Sequence, residues 1–329
     1  MHEPEHPALR SAKAPRLRGF TVTELIVVVA VIAVVIAIVI PSVGKIRASA
    51  RTVKCLSNQR QITMACYSYA VANASRLISS RTDGGTGYAG AQARIDGQNV
   101  GLGSLGWNHW ISRAFNAAGH IGVSTVAGQQ FETPAAITTS VLYPYLGDIQ
   151  IYISPDEPTN PAALSASGTA TRIRSYSLNS LYGTTRVDEL VDYDNSFTAT
   201  MYGQKPNIDQ YSCTTIGQIK LPARMLSTIV EDDTVAYNNQ GWVVLADRPQ
   251  WVDWPAAWRP DAITMSYADG STETYALVNK QLPILWETFG HNYVQPPDAS
   301  AGIAVDWKFF RDRLNPWVLP NSTYGFSSN

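Results

Sequence analysis

A single carboxylate, Glu24, stands directly before an uninterrupted apolar run, LIVVVAVIAVVIAIVI, which covers residues 25–40. An acidic side chain costs about 2.5–3.5 kcal/mol at the centre of a membrane helix and less near its end. Such a residue usually has a partner. Glu24 is therefore the first candidate for a functional interaction. The simpler alternative is that it lies among lipid headgroups.

A second group of carboxylates, Glu231-Asp232-Asp233, follows a predicted strand. Hard cations such as Ca²⁺ prefer clustered oxygen ligands, so these three residues form a candidate calcium site. The simpler alternative is a solvated turn. A further acidic cluster is predicted to be a solvated loop; it consists of Asp188, Glu189, Asp192 and Asp194.

The sequence lacks the residue patterns of common enzyme sites. Its five histidines are scattered, and neither G-x-S-x-G nor a phosphate-binding P-loop occurs. Cys55 and Cys66 would lie about 16 Å apart on one helix, too far for a disulfide, and Cys213 is isolated. The odd cysteine count without C-x-x-C argues against zinc. We expect all three cysteines to be small buried side chains with free thiols. We also expect that the protein is not an enzyme and that it binds no cofactor other than calcium.

The element that positions Glu24 is a long helix. Residues 20–40 span roughly 31 Å, about one hydrocarbon core. Pro41 predicts a kink without an end, because apolar residues recur at helical spacing beyond it, and we predict helix over residues 21–74. The recurring residues are predicted to form one apolar face that packs on the rest of the chain: Val43, Ile46, Ala50, Val53, Ile62, Cys66 and Tyr69.

Charge divides the chain into three parts: a leader (1–19), the helix (20–75) and a head (76–329). The helical part carries five basic residues and one acid, whereas the head carries 16 basic and 23 acidic residues. An acidic head argues against nucleic-acid binding. At about 250 residues the head can bury a sizeable core, which we expect to contain most of the nine tryptophans.

The head is predicted to be mainly antiparallel β-structure, which gives an α+β fold with long loops. Its clearest signal is a hairpin at 263–277, where alternating apolar residues flank Asp269-Gly270, typical of a type I′ turn. Further strands are predicted at 226–231 and 242–246 and short apolar elements at 141–146 and 149–153. The glycine-rich stretch 82–128 predicts an irregular surface segment, with a short helix at 107–115.

Residues 19–25, G-F-T-V-T-E-L, follow a short basic leader; Glu24 is the fifth residue counted from Phe20, and Pro41 is the twenty-second. This segment resembles the cleavage and methylation segment of type IV pilins and type II secretion pseudopilins. The resemblance implies that a prepilin peptidase cuts between Gly19 and Phe20 and methylates Phe20. It also implies that Glu24 pairs with the Phe20 amine of a neighbouring subunit during filament assembly.

The function implied by this resemblance is a structural subunit of a type IV pilus or a secretion pseudopilus. Its implied partners are prepilin peptidase, identical or related pilin-like subunits, an inner-membrane assembly platform and membrane lipid. The implied location is a bacterial inner membrane, with the leader cytoplasmic and the head periplasmic, or a filament beyond it. Related pseudopilins often bind calcium in the head, which supports the Glu231 candidate. The alternative is a singly anchored cell-envelope binding or adhesion protein.

Two further observations bear on this resemblance. Ala48-Ser49-Ala50 is a rival signal-peptidase site, disfavoured because Lys45 and Arg47 separate it from the apolar run. Several head segments resemble a planctomycete-type subgroup of pilin-like proteins with a C-terminal Asp-Gly hairpin. This chain departs from the subgroup by having Arg259 at its usual histidine position and Ser154-Pro155 in place of Cys-Pro.

Overall fold

The computed structural model describes most of the N-terminal helix and the central part of the head. The described residues are 20–78, 80, 92–95, 98–101, 110, 137, 138, 140–158, 174–181, 183, 213–231, 241, 242, 244, 251, 253–259, 263–284 and 301–317. The longer helices are α1 (Val22–Ala72) and α3 (Ala301–Leu314), with the single turn α2 (Tyr143–Leu146) between them. The strands are β1 (Gln92–Ile95), β2 (Gln98–Gly101), β3 (Tyr176–Leu178), β4 (Leu226–Val230), β5 (Ile263–Tyr267) and β6 (Thr272–Tyr275). Short 3₁₀ turns cover Ile149–Tyr152 and Ile216–Gln218.

Helix α1 runs without interruption through Pro41, which confirms the predicted long helix to within two residues at each end. Just beyond Pro41, the Ser42 hydroxyl donates to the carbonyl of Ile38 at 3.2 Å. The helix ends where Ala74 and Ser75 adopt positive φ values of 53° and 66°. The Ser75 amide then donates to the Ala70 carbonyl at 2.8 Å, a closure typical of left-handed helix ends.

The chain divides into two compact units, Met1–Ala50 and Arg51–Asn329. In the first unit, the described part of α1 is apolar and none of its most apolar stretch is buried. Among the described residues, α1 is the one helix long and apolar enough to cross a membrane, judged by length and composition. The second unit contains the rest of α1 together with the sheet and α3.

The head is built on a four-stranded antiparallel sheet with the order β3-β4-β5-β6. Strands β1 and β2 form a separate antiparallel pair. The long helix and this sheet confirm the α+β class, and β4 confirms the predicted strand at 226–231. Of the strand predicted at 242–246, only Trp242 and Val244 are described, and each forms an isolated β-bridge.

The β5–β6 hairpin is present, but its turn is not the predicted type I′. That turn requires positive φ at both central residues, whereas in the described turn only Gly270 has positive φ, at 83°. The Gly270 amide donates to the Tyr267 carbonyl, and the Tyr267 amide donates to the Ser271 carbonyl, both at 2.8 Å. This pattern is a three-residue loop in which Gly270 forms a bulge. The extra residue, Ala268, accounts for the difference.

One face of the sheet packs on an aromatic cluster that includes α3. Phe310 of α3 lies 5.3 Å from Trp242 and 5.5 Å from Trp251, measured between ring centroids, and both contacts are edge-to-face. Tyr275 of β6 stacks on Phe309 at 3.7 Å. Five described tryptophans are buried, as predicted for the core: Trp110, Trp242, Trp251, Trp254 and Trp307.

Candidate functional site

The N-terminal end of α1 contains a reciprocal hydrogen-bonded cap. Thr21 precedes the first helical residue, and its amide and hydroxyl donate to Glu24 Oε2 at 2.9 and 2.8 Å. In return, the Glu24 amide donates to Thr21 Oγ1 at 3.2 Å. This arrangement is a capping box, which satisfies helix amides that lack a partner. The T-x-x-E motif at 21–24 is visible in the sequence, so the contribution of Thr21 was a signal that the sequence prediction missed.

The capping box leaves Glu24 available for a second interaction. Its side chain is exposed, and within the described residues its Oε1 atom accepts no hydrogen bond. Phe20 is 82% exposed immediately before the cap. The structure therefore brings Phe20 and Glu24 to one helix end, while Gly19 lies outside the described residues. Pro41 lies within α1, far along the helix from this end.

The outer half of α1 has a different buried face from the predicted one. Ile62 and Cys66 are fully buried against the head, but Ile46 and Val53 are 65% and 66% exposed. At about 100° per residue, the nine positions from Val53 to Ile62 turn the helix by two and a half turns, which places them on opposite faces. The prediction of one continuous apolar face was therefore wrong.

The face of the sheet opposite α3 is lined with hydroxyl groups, and α1 covers it. Gln59 donates through Nε2 to Thr264 Oγ1 at 2.7 Å and accepts through Oε1 from Thr228 Oγ1 at 3.0 Å. One turn along, Thr63 Oγ1 lies 2.7 Å from Ser266 Oγ. These five side chains are all buried. We call Gln59, Thr63, Thr228, Thr264 and Ser266 the polar seam.

A β-bulge in β4 adds another hydroxyl to this interface. Leu226 is opposite Tyr267 and Thr228 is opposite Ser266, so Ser227 is an extra residue in β4. Its hydroxyl accepts a hydrogen bond from Thr63 at 3.0 Å, so Ser227 and Thr228 both face α1. The hydrogen bonds fix both the rotation and the axial position of α1 on the sheet, because each donor meets a specific acceptor.

All three cysteines are buried, as predicted. Burial raises the pKa of the Cys213 thiol to about 11 and that of Cys66 still further, so neither is a ready nucleophile near neutral pH. Cys55 Sγ lies 2.9 Å from Thr264 Oγ1 and 3.6 Å from Ser154 Oγ. Ser154 therefore packs directly on Cys55.

Arg259 lies beside the first residues of the second unit. It donates a hydrogen bond to Thr52, and its Nη1 lies 3.9 Å from Asp156 Oδ2. Arg51 approaches the same carboxylate at 4.0 Å. Burial raises the pKa of Asp156 above its usual value, and Arg259 and Arg51 partly offset that effect. Arg259 thus links the head to α1 through Thr52, a role that no local sequence pattern predicts.

The calcium candidate is described only in part. Glu231 is buried and accepts a hydrogen bond from Ser177, whose hydroxyl accepts from Arg174 Nη1 at 2.7 Å. Asp232, Asp233 and the 188–194 cluster lie outside the described residues. No group of three potential metal ligands occurs among the described residues. The hydrogen bond from Ser177 satisfies the buried Glu231 carboxylate within the head. The calcium site stays a prediction.

No protein-family model, no curated protein and no solved structure matches this chain. Among the described residues, an exposed carboxylate stands at the start of the exposed apolar stretch of α1, and the outer half of α1 packs on the sheet.

Proposed function

We propose that this chain is a structural subunit of a type IV pilus-like or type II secretion pseudopilus filament. In this proposal a prepilin peptidase removes the leader and methylates Phe20, and an inner-membrane platform assembles identical or related subunits. Before assembly the subunit is held in the bacterial inner membrane by α1, with its head in the periplasm. The helix then leaves lipid and packs against other subunits.

One observation carries the proposal: the carboxylate of Glu24 is the only charge in residues 20–44, and it is held at the exposed start of the apolar helix. A charge in an apolar assembly is tolerated when it is paired. Cleavage before Phe20 would create a free amine four residues from Glu24. The open Oε1 atom could accept that amine from a neighbouring subunit while Oε2 keeps the helix cap, so pairing would not cost the cap.

Glu24→Gln tests the charge separately from the cap. Glutamine also serves in a capping box, so α1 should keep its start, but the amine of the next subunit loses its ionic partner. We expect the mature chain to begin at Phe20 in both proteins, and filaments to be lost in the variant. The measurements are N-terminal sequencing and electron microscopy of sheared cell-surface or periplasmic material.

Thr21→Val is the matched control, because it removes the cap hydroxyl and keeps the carboxylate. We expect it to assemble. Loss of filaments with Thr21→Val but not with Glu24→Gln would assign Glu24 to helix capping alone. Normal filaments from Glu24→Gln would reject the charge pairing. A mature N-terminus at Arg51 would contradict the proposal and favour signal-peptidase cleavage after Ala50. Anchored monomers that never form filaments would favour the singly anchored binding protein.

A further inference from the structure

The outer half of α1 has an exposed stripe on the face opposite the buried Ile62. Its members are separated by steps of four and three residues, so they lie within about 40° of one line along the helix. We call these residues the outer stripe: Val53, Ser57, Arg60, Met64, Tyr67 and Val71. Val53 and Val71 are 66% and 68% exposed, and Met64 and Tyr67 are 46% and 38% exposed.

A stripe of this spacing is typical of a helix that packs against a partner. A helix that met only water on this side would more often carry polar residues there. The head already covers the opposite side of α1 through Ile62 and Cys66. Met64 also lies near Gly270 of the β5–β6 turn but stays 46% exposed, so the described residues leave most of the outer stripe uncovered and available for a second contact.

The charge of the outer stripe indicates which surface would bind it. Arg60 lies near the middle of the outer stripe and makes no ion pair or hydrogen bond within the described part of the chain. Residues 51–75 contain three basic residues and no acid. A two-fold pairing of two outer stripes, parallel or antiparallel, would place the two Arg60 side chains near each other without a counter-charge, which is unfavourable.

The head, in contrast, has an excess of seven acidic residues over basic ones. We propose that the outer stripe docks on the acidic head of a second copy of this chain, with Arg60 facing a carboxylate of that copy. This contact joins two different surfaces, so it is heterologous and repeats from copy to copy. The inference rests on the proposed function and names the surface through which the soluble part of each subunit would meet the next.

The test uses the full chain in its native membranes and filaments. A photo-reactive amino acid, p-benzoylphenylalanine, replaces Tyr67 on the outer stripe, and in a control it replaces Ala72, which is exposed about 140° around the helix. We expect irradiation to give a two-copy adduct from position 67 and little from position 72. Mass spectrometry should place the attached residue within 76–329.

Arg60→Glu should lower the yield of this adduct about tenfold, equivalent to ~1.4 kcal/mol. Lys54→Glu is the matched control, because Lys54 is also exposed but lies about 120° from Arg60, and its yield should change less than twofold. Circular dichroism melting of each variant verifies that the head is folded.

Two results would overturn the inference and leave the proposed function intact: an adduct to α1 of the second copy, or no adduct from position 67 in filaments of chains that begin at Phe20. An unchanged yield with Arg60→Glu would likewise reject the assigned role of Arg60. If chains are cleaved before Phe20 but no copies associate at all, both the inference and the proposed function fail.

Discussion

At the scale of single residues, the most informative side chains are those whose partners lie far away in sequence. Ser154 and Cys55 are 99 positions apart, and their Oγ and Sγ atoms are 3.6 Å apart in the buried interface. Arg259 reaches Thr52 across 207 positions. Both contacts join the head to α1, at Cys55 and Thr52. Ser154 and Arg259 therefore both have structural roles in the contact between the head and α1.

Ser154→Cys should form a disulfide with Cys55, because the replaced oxygen already lies close to the thiol. We expect mild oxidation of this variant to remove two of its titratable thiols. The disulfide should raise the free energy of unfolding by about 2–4 kcal/mol. Thiol titration under denaturing conditions and denaturant melts measure these changes. The double variant Cys55→Ala/Ser154→Cys is the control and should show neither. Full thiol reactivity of Ser154→Cys after oxidation would contradict the described geometry.

At the scale of elements, the sheet has one apolar and one polar face, and helices cover both. The alternation at 263–267 predicted that Ile263, Met265 and Tyr267 face inward, and they are buried. Thr264 and Ser266 would ordinarily face water in such a strand, yet they are buried beneath α1. The strand pattern is local and could be predicted, but what covers the polar face depends on contacts more than 200 positions apart.

Gln59→Leu should destabilise the head although leucine is more apolar. The substitution leaves the buried Thr228 and Thr264 hydroxyls without the Gln59 amide, at a cost of about 1–3 kcal/mol. Gln61→Leu is the matched control on the exposed face and should change stability by less than about 0.5 kcal/mol. Chemical denaturation of both variants gives the comparison. Equal stability of the two would show that the polar seam contributes nothing net.

The N-terminal helix and the hairpin illustrate where sequence reasoning succeeds and where it stops. Helix α1 was predictable because lipid-length apolar composition and helical spacing act locally, and the hairpin was predictable from Asp269-Gly270. The turn type was not, because one extra residue in the loop changes the required φ values. The error over Val53 arose from placing two short apolar sets on one face, when the nine-position step from Val53 to Ile62 puts them on opposite faces. The Thr21–Glu24 cap could have been predicted, since its motif is local.

At the scale of the whole molecule, the two units differ in what they need from their surroundings. The most apolar stretch of α1, in the unit Met1–Ala50, is not covered by any of the described residues, and it is long and apolar enough to span a membrane. The second unit, by contrast, includes the outer half of α1 as part of its core, through Ile62, Cys66 and Ala70. The boundary between the two units therefore lies within α1, near Arg51, and not at the end of the helix.

A soluble fragment covering residues 51–329 should fold by itself, whereas one covering 76–329 should not. The shorter fragment loses the fully buried residues of α1 and exposes the polar seam, so we expect it to lack a cooperative thermal transition. Circular dichroism melting and size-exclusion chromatography measure the difference. Identical cooperative melting of the two fragments would mean that α1 is dispensable for the head.

The apolar and polar faces of the sheet should respond differently to cooling. Exposing apolar surface raises the heat capacity of the unfolded chain, whereas exposing polar surface lowers it, so aromatic contacts such as Phe310 on Trp242 weaken on cooling. The hydroxyl contacts between α1 and the sheet do not share that weakness. On cooling, the contacts between the sheet and α3 should therefore weaken first, and the hydrogen bonds between the sheet and α1 should persist to lower temperature.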